Sequence, residues 1–333
     1  MKKNNINYYI TKYFAQYLPT IKGLSLNTIV SYRDTFILFL NYIHDVKKIN
    51  INKLDFNDIN ESIVEDFLQY LENIRGNSIN TRNQRLAAIQ AFYRYLQTRE
   101  LTYFELCSSI LSIPNKKFPI KILSYFTVEE ITILVNQPET VKKYGFRDYA
   151  LLLFMYETAA RAQELSDLRV NQLYLYDYPR VILRGKGNKE RIVPFSTDLS
   201  VVLKKYIKVF KIQDNDFVFK NKQNNQITPK GIEYILRKYV QLANNKNPEK
   251  FRENYSNHSM RHTRAMHLLE SGVNLIYIRD ILGHVSVTTT EIYAKANSKI
   301  KEKQILDHTK LIGAKERYST EEKENLLKFL KKL

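Results

Sequence analysis

Cysteine is almost absent. Cys107 stands alone in 333 residues, which excludes an internal disulfide framework and any cysteine-cluster metal site. Long apolar runs are also missing: the longest, YALLLFMY at 149–156, is far short of a membrane span. The basic opening MKKNNINYYITKYFAQYL has no apolar core ending in a small-residue cleavage site, so no signal peptide is read and a cytoplasmic, membrane-free protein is expected. Acidic residues are scarce against basic ones, 34 Asp+Glu facing 52 Lys+Arg for a net charge of +18. The excess is no single tail, because residues 1–120 hold fifteen basic and ten acidic side chains and residues 121–333 hold 37 and 24. A polyanion, nucleic acid first, is the expected partner. A lysine- and asparagine-rich background composition would give the same excess with no partner at all.

What is present is a globular composition, 44% hydrophobic and 26% charged, in a chain long enough for two cores. The first hundred residues read as four helices in a small bundle. One opens near 7–18. SLNTIVSYRDTFILFLNYI comes next, with Ser25 as N-cap and Ile29, Tyr32, Phe36, Phe39 and Ile43 at helical spacing. NESIVEDFLQYLENIRG repeats the pattern with Ile63, Phe67 and Leu71 before Gly76, and SINTRNQRLAAIQAFYRYLQTR does so with Leu86, Ile89, Phe92 or Tyr93, and Leu96. Two prolines and a lysine cluster in SIPNKKFPIKILSYFT suit an extended interdomain segment. The expected layout is therefore a helical domain over 1–105, a linker over 106–125 and a second domain over 126–312, with residues 313–333 as a detached terminal piece.

The second domain opens at Thr127, where T-V-E-E has the form of a capping box. RVILRGKGNKERIVPF is two short β-prone runs about a Gly-rich turn, a hairpin. Helices are expected at 127–136, 146–157, 161–168, 197–211, 228–244 (with Thr228 as cap and Pro229 at its first position), 259–271 and 274–282. The final STEEKENLLKFLKKL places Leu326, Leu327, Leu330 and Leu333 on one stripe. The fold class is mainly α with a small β-sheet.

Chemistry is sought where an apolar stripe carries a charge. In AARAQELSDL, positions 161, 165 and 168 share a helical face, and one of them is Arg161; in SMRHTRAMHLLESG, positions 261, 265, 268 and 272 do so, led by Arg261. Inward arginines are costly without an anion. Glu164, three residues after Arg161, could supply it as an internal ion pair; the alternative is an oxyanion site lined by two guanidinium forks. Four of the six histidines fall between 258 and 284: His258, His262, His267 and His284. An arginine inside the H-x-x-R-H spacing repels a cation, so no metal site is read there. GKGNKER lacks the G-x-x-x-x-G-K-[ST] form and sits in a hairpin, so it is no nucleotide loop. On spacing alone, its Lys186 is simply an exposed lysine.

The order of these residues resembles the tyrosine recombinase (phage integrase) family over nearly the whole chain. Arg161 in TAARAQEL, Lys186 in RGKGNKERIVP, His258 and Arg261 in HSMRH, His284 in LGHVSVTTTEIY, and Tyr293, one of 24 tyrosines, carry the likeness. Residues before the linker look like the family's SAM-like core-binding domain, and those from about 125 to 300 look like its α+β catalytic domain. One departure is TAAR where the family commonly has TGLR, expected to alter packing rather than chemistry.

The resemblance implies a site-specific DNA recombinase acting on double-stranded recombination sites. Tyr293 attacks a phosphodiester to give a 3′-phosphotyrosine and a free 5′-hydroxyl, with no cofactor, metal or ATP. Arg161 and Arg261 stabilise the transition state with help from His284. A phenol titrates near 10, and His258 is the first choice of base for it. Lys186 protonates the leaving oxygen, and Glu164 orients Arg161. His262 is expected to be structural and His267 exposed. Lys189 and Arg191 are expected phosphate contacts, and Asn80, Thr81, Arg82, Gln84 and Arg85 on the fourth helix are expected to meet DNA. The family also implies a tetramer on DNA, with or without companion recombinases, and a C-terminal segment docking on the neighbouring protomer; packing within its own chain is the simpler alternative. The competing readings are a non-catalytic DNA-binding accessory protein and a type IB topoisomerase-like enzyme.

Overall fold

The computed structural model describes residues 6–117, 124–251, 255–284 and 286–296, together with 324–325 and 328–331. The chain divides into two compact units, Met1–Lys121 and Ile122–Leu333.

Every element described in the first unit is helical. α1 (Ile6–Lys12) continues as wider π-helical turns over Tyr13–Ile21; Pro19 lies in this stretch and has no N–H to give to a four-residue ladder. α2 (Leu26–Asp45), α3 (Glu61–Asn73) and α4 (Ile79–Gln97) occupy the segments their periodicity marks. Their inward residues, among them Phe36, Phe39, Phe67, Leu71, Leu86, Ile89, Phe92 and Leu96, form one buried cluster with Tyr13. Gly76, at φ +63°, lets the chain turn away after α3.

A fifth helix corrects the expected linker. α5 (Phe104–Ser112) lies inside the segment expected to be extended. Cys107, Ile110 and Ile113 are buried in the first unit's core. The buried Gln90 amide donates to the carbonyls of Ile110, Leu111 and Ile113 at 3.0–3.3 Å. Those bonds satisfy carbonyls that the helix end leaves open, so the prolines and lysines mark only the stretch after Ile113.

The second unit is built on α7 (Lys143–Thr158), whose Ala150, Leu151, Leu152, Phe154 and Met155 are all nearly solvent-free. α6 (Val128–Val135) starts at a complete capping box: Thr127 Oγ1 accepts from Glu130 N–H, and the Glu130 carboxylate accepts from Thr127 N–H. α8 (Ala162–Asp167) leads to an antiparallel sheet of β1 (Leu173–Tyr174), β2 (Arg180–Arg184) and β3 (Glu190–Pro194), in that order. The hairpin read from sequence thus gains a third strand, too short to show a period. Arg180 pairs with Pro194 and Arg184 with Glu190, so Val181, Leu183 and Val193 point inward. α9 (Thr197–Phe210), α10 (Pro229–Lys246), α11 (Asn257–Glu270), α12 (Leu275–Leu282) and α13 (Glu291–Ala296) complete the unit. No described helix is long and apolar enough to cross a membrane. The expected terminal helix lies partly outside the described residues; within it, Phe329 and Leu330 are exposed.

Candidate active site

The C-terminal end of α12 gathers the cations. Three consecutive carbonyls each accept from a different arginine: Ile281 from Arg191 Nε at 2.7 Å, Leu282 from Arg261, and Gly283 from Arg161 at 3.3 Å. A helix C-terminus offers unpaired carbonyls and the negative end of the helix dipole, so guanidinium groups are held there at low cost. Gly283 closes the helix at φ +61°, and a Cβ on it would stand 2.9 Å from Arg191 Cδ. Both the left-handed turn and the neighbour require glycine.

Glu164 is the counter-charge. Its carboxylate accepts two bonds from Arg191, at 2.8 and 2.7 Å, and one from Arg161 Nη1 at 2.8 Å. It also accepts the Arg161 backbone N–H at 2.8 Å. Burial alone would raise this carboxyl, but the hydrogen bonds and charge of Arg191, and then of Arg161, hold it below the ordinary range. Glu164 is therefore an ionised anchor and no proton carrier.

Arg261 is different. It is 5% exposed and held by two carbonyls, Ala159 at 2.7 Å and Leu282. Burial first, then the charges of Arg161 and Arg191, lower it to about 9, so at neutral pH it is a strained cation. Glu164 is bonded to two of the three guanidinium groups and the third is held by carbonyls alone, so these four side chains keep a positive surplus. An oxyanion entering beside Arg161 and Arg261 would relieve that surplus, and phosphate oxygens match the guanidinium fork.

α11 and the turn after α12 bring in the remaining groups. His284 Nδ1 lies 3.0 Å from Thr290 Oγ1, and His262 Nδ1 lies 2.9 Å from the Tyr293 hydroxyl. Burial lowers His262 to about 4, helped by His258 and Arg261; it lowers His284 to about 4, helped by Arg261 and Arg161. Burial raises the Tyr293 phenol against the opposing pull of Arg261 and Arg161. With the imidazole neutral and the phenol protonated, the tautomer that carries its proton on Nε2 leaves His262 Nδ1 able to accept from the hydroxyl. Tyr293 is 1% exposed and packs with Ala159, Ala265, Met266, Leu269, Ile278 and Leu282.

Several expectations change on this geometry. His262, expected to be structural, is the imidazole on the phenol, whereas His258 is exposed with its ring 6.4 Å from that of His262. The signal was present: His258 and His262 are four apart on one helical face. His267, expected to be exposed, is 6% exposed and held between the Tyr156 hydroxyl at 3.0 Å and the Phe126 carbonyl at 2.9 Å. α11 is covered on that side as well, by α7 and the segment before α6. Arg191, expected on DNA, is turned inward onto Glu164 with its side chain 10% exposed. Strand alternation would have found it, since Val193, two residues on, is in the core.

Lys186 opens the turn Lys186–Asn188 between β2 and β3, and Lys189 is exposed beside it. In the first unit, the DNA-facing block of α4 divides. Arg82 is tied to Glu72, to the Pro114 carbonyl at 3.2 Å and to Asn83 at 2.9 Å, and Thr81 meets the Ser78 cap. Asn80 and Gln84 are exposed, Gln84 with a 3.3 Å bond to Ser31. Arg85 Nε is covered and has no hydrogen-bond partner.

Known proteins resemble this chain along most of its length. The sequence model of the Phage integrase family matches residues 124–299, and that of the Phage integrase N-terminal SAM-like domain matches residues 11–100. Integrase/recombinase y4rC of Sinorhizobium fredii is 32% identical over 324 residues, 97% of either chain. Tyrosine recombinase XerD of Staphylococcus epidermidis is 29% identical over 290 residues, 85% of this chain and 92% of that one. Among solved structures, the Tn1549 transposon integrase in complex with transposon right end DNA has a TM-score of 0.68 at 15% identity, covering 90% of this chain and 99% of its own. The XerH site-specific recombinase bound to palindromic difH substrate has a TM-score of 0.67 at 20% identity, covering 86% and 82%. At those identities the two structures speak for the fold, and the matches in sequence carry the kinship: this chain belongs to the phage integrase family of tyrosine recombinases.

Proposed function

We propose that this protein is a site-specific DNA recombinase in which Tyr293 is the nucleophile. Its Oη attacks a DNA phosphorus, the P–O5′ bond breaks, and a 3′-phosphotyrosine and a 5′-hydroxyl result. A 5′-hydroxyl from the partner strand then attacks the phosphotyrosine and restores a phosphodiester. Each exchange makes one ester as it breaks another, so no energy source is consumed.

The observation that carries this reading is the convergence of Arg161, Arg261, His262, His284 and Tyr293 around the end of α12 and the packed face of α11. Arg161 and Arg261 stabilise the negative charge that grows on the non-bridging oxygens, and His284 donates a further hydrogen bond. His262 takes the phenol proton, with His258 as the next imidazole along the same face. Lys186 supplies the proton that the departing 5′-oxygen needs. The phenol is covered in this state, so attack requires α13 to shift and admit the phosphate.

The two basic units supply the rest: the first holds the duplex through the exposed part of α4, and the second carries the chemistry. Assembly is a tetramer on two sites, with the segment 313–333 docking on a neighbouring protomer. The test uses duplexes selected from a random pool for binding to this protein. Each carries a nick one or two nucleotides beyond a candidate scissile phosphate, so that cleavage releases a short strand and traps the enzyme. A denaturant-resistant protein–DNA adduct is expected with chelator present and ATP absent; no adduct at any nick position sinks the reading.

A further inference from the structure

We propose that Arg191 is a positioning residue: with Glu164 it pins both roots of the β2–β3 turn onto Arg161, and so places Lys186 for proton transfer to the leaving oxygen. The proposal rests on the recombinase reading and adds a residue to it.

The turn is a short excursion between two fixed points. At its entry, Gly185 lies against the Arg161–Glu164 pair so closely that a Cβ there would be 3.3 Å from Glu164 Oε1 and 3.8 Å from Arg161 Nη1. Its N–H also closes the turn on the Lys189 carbonyl at 2.8 Å. At its exit, Arg191 grips the same carboxylate through both Nη atoms, at 2.8 and 2.7 Å, while its Nε donates to Ile281. One carboxylate thus bonds Arg161 and the strand after Lys186, and it lies where a side chain on the residue before Lys186 would crowd it. The position of the lysine-bearing turn and that of the phosphate-binding arginine are therefore set by a single group.

Stability alone is a poor reason for this arrangement. A buried ion pair recovers little net free energy over an apolar packing of the same volume, because both charges are desolvated. What a bidentate fork does supply is direction, since two parallel bonds fix an orientation that one contact leaves free. Beyond the roots, Gly187 at φ +74° and Asn188 at φ +58° are both exposed. The placement of the turn has to come from the roots.

In the step concerned, Tyr293 Oη bonds to phosphorus, the P–O5′ bond breaks, and the Lys186 ammonium gives its proton to the 5′-oxygen. A substrate with sulfur in place of that bridging oxygen leaves as a thiolate and needs no proton. The experiment compares covalent-adduct rates of the full chain, at saturating DNA, on the oxygen and 5′-bridging-sulfur substrates, for wild type, Arg191→Ala and Arg191→Lys. On the oxygen substrate Arg191→Ala is expected to be slower by about 100-fold, and on the sulfur substrate to return to within about threefold of wild type. Arg191→Lys, which keeps the charge but not the fork, is expected to show the same rescue with a smaller loss; it carries the test alone if Arg191→Ala does not fold. An equal loss on both substrates would mean that Arg191 serves only the fold or Arg161, and an undiminished rate on the oxygen substrate would mean that the grip is idle; either overturns the proposal. A wild type that cleaves neither substrate would instead overturn the recombinase reading.

Discussion

The Tyr293 hydroxyl stands 2.9 Å from His262 Nδ1, inside a pocket that leaves the tyrosine 1% exposed. The phenol proposed as nucleophile therefore rests protonated against a neutral imidazole. If His262 is the first acceptor of its proton, His262→Ala slows adduct formation at saturating DNA by about 100-fold, the ordinary scale of a lost general base. The same change at exposed His258 has a smaller effect. Rates measured with the two variants side by side check this; a larger loss at His258 would return the role to the residue that the family pattern suggests.

Acid should loosen the second unit before its carboxylates titrate. His262 and His284 both drop from 6.5 to about 4 on folding, because burial and nearby cations disfavour their charged forms. Between those values the unfolded chain binds protons that the folded chain refuses, so stability is fully present above about 6.5 and declines as pH falls toward 4. Melting temperatures across that window should fall with acid, and His262→Asn should flatten part of the slope. A flat profile in wild type would mean that neither imidazole is desolvated.

Ala159 occupies the position where the family commonly has glycine, at φ +50° and ψ +30° after α7, with its carbonyl bound to Arg261. A left-handed alanine costs about 1–2 kcal/mol. Ala159→Gly removes that strain but loses about 0.8 kcal/mol of buried methyl and about 0.4–1 kcal/mol of unfolded-state restriction. The terms nearly cancel, and denaturant melts should place the variant within about 1 kcal/mol of wild type. A loss well beyond that would show that the methyl fills space in the Tyr293 cluster.

In the first unit, α4 separates fold from contact. Arg82 is tied to Glu72, Asn83 and Pro114, so Arg82→Ala should lower the melting temperature. Arg85 has a covered Nε with no partner and sits near Arg75, which together with burial lowers its pKa. If it meets a phosphate, Arg85→Ala weakens DNA binding and reduces the slope of log affinity against log salt by about 0.9. Titrations at several salt concentrations read that slope; an unchanged slope would remove Arg85 from the interface.

Most helices were legible because their signals are local. Ile29, Phe36 and Ile43 repeat at helical spacing, and Thr127 with Glu130 announces α6 three residues ahead. α5 was hidden by its surroundings: SIPNKKFP breaks the chain after Ile113, and its prolines drew the reading of the whole segment. β1 has two residues and no period to detect. At the site, the residue order pointed to six positions through the family, but order is silent on which imidazole faces the phenol. That choice depends on how α13 lies against α11, a contact between residues 31 positions apart. Arg191 was misread for a related reason. A basic side chain beside a lysine-rich turn looks like surface until the strand's inward face is known to end on Glu164.

Mass spectrometry of the trapped protein–DNA adduct, after proteolysis and nuclease digestion, tests the assignment of the nucleophile most directly. A nucleotide attached to the peptide containing Tyr293, and no adduct from Tyr293→Phe, is the expected result. An adduct on any other residue, or one that survives Tyr293→Phe, would contradict it.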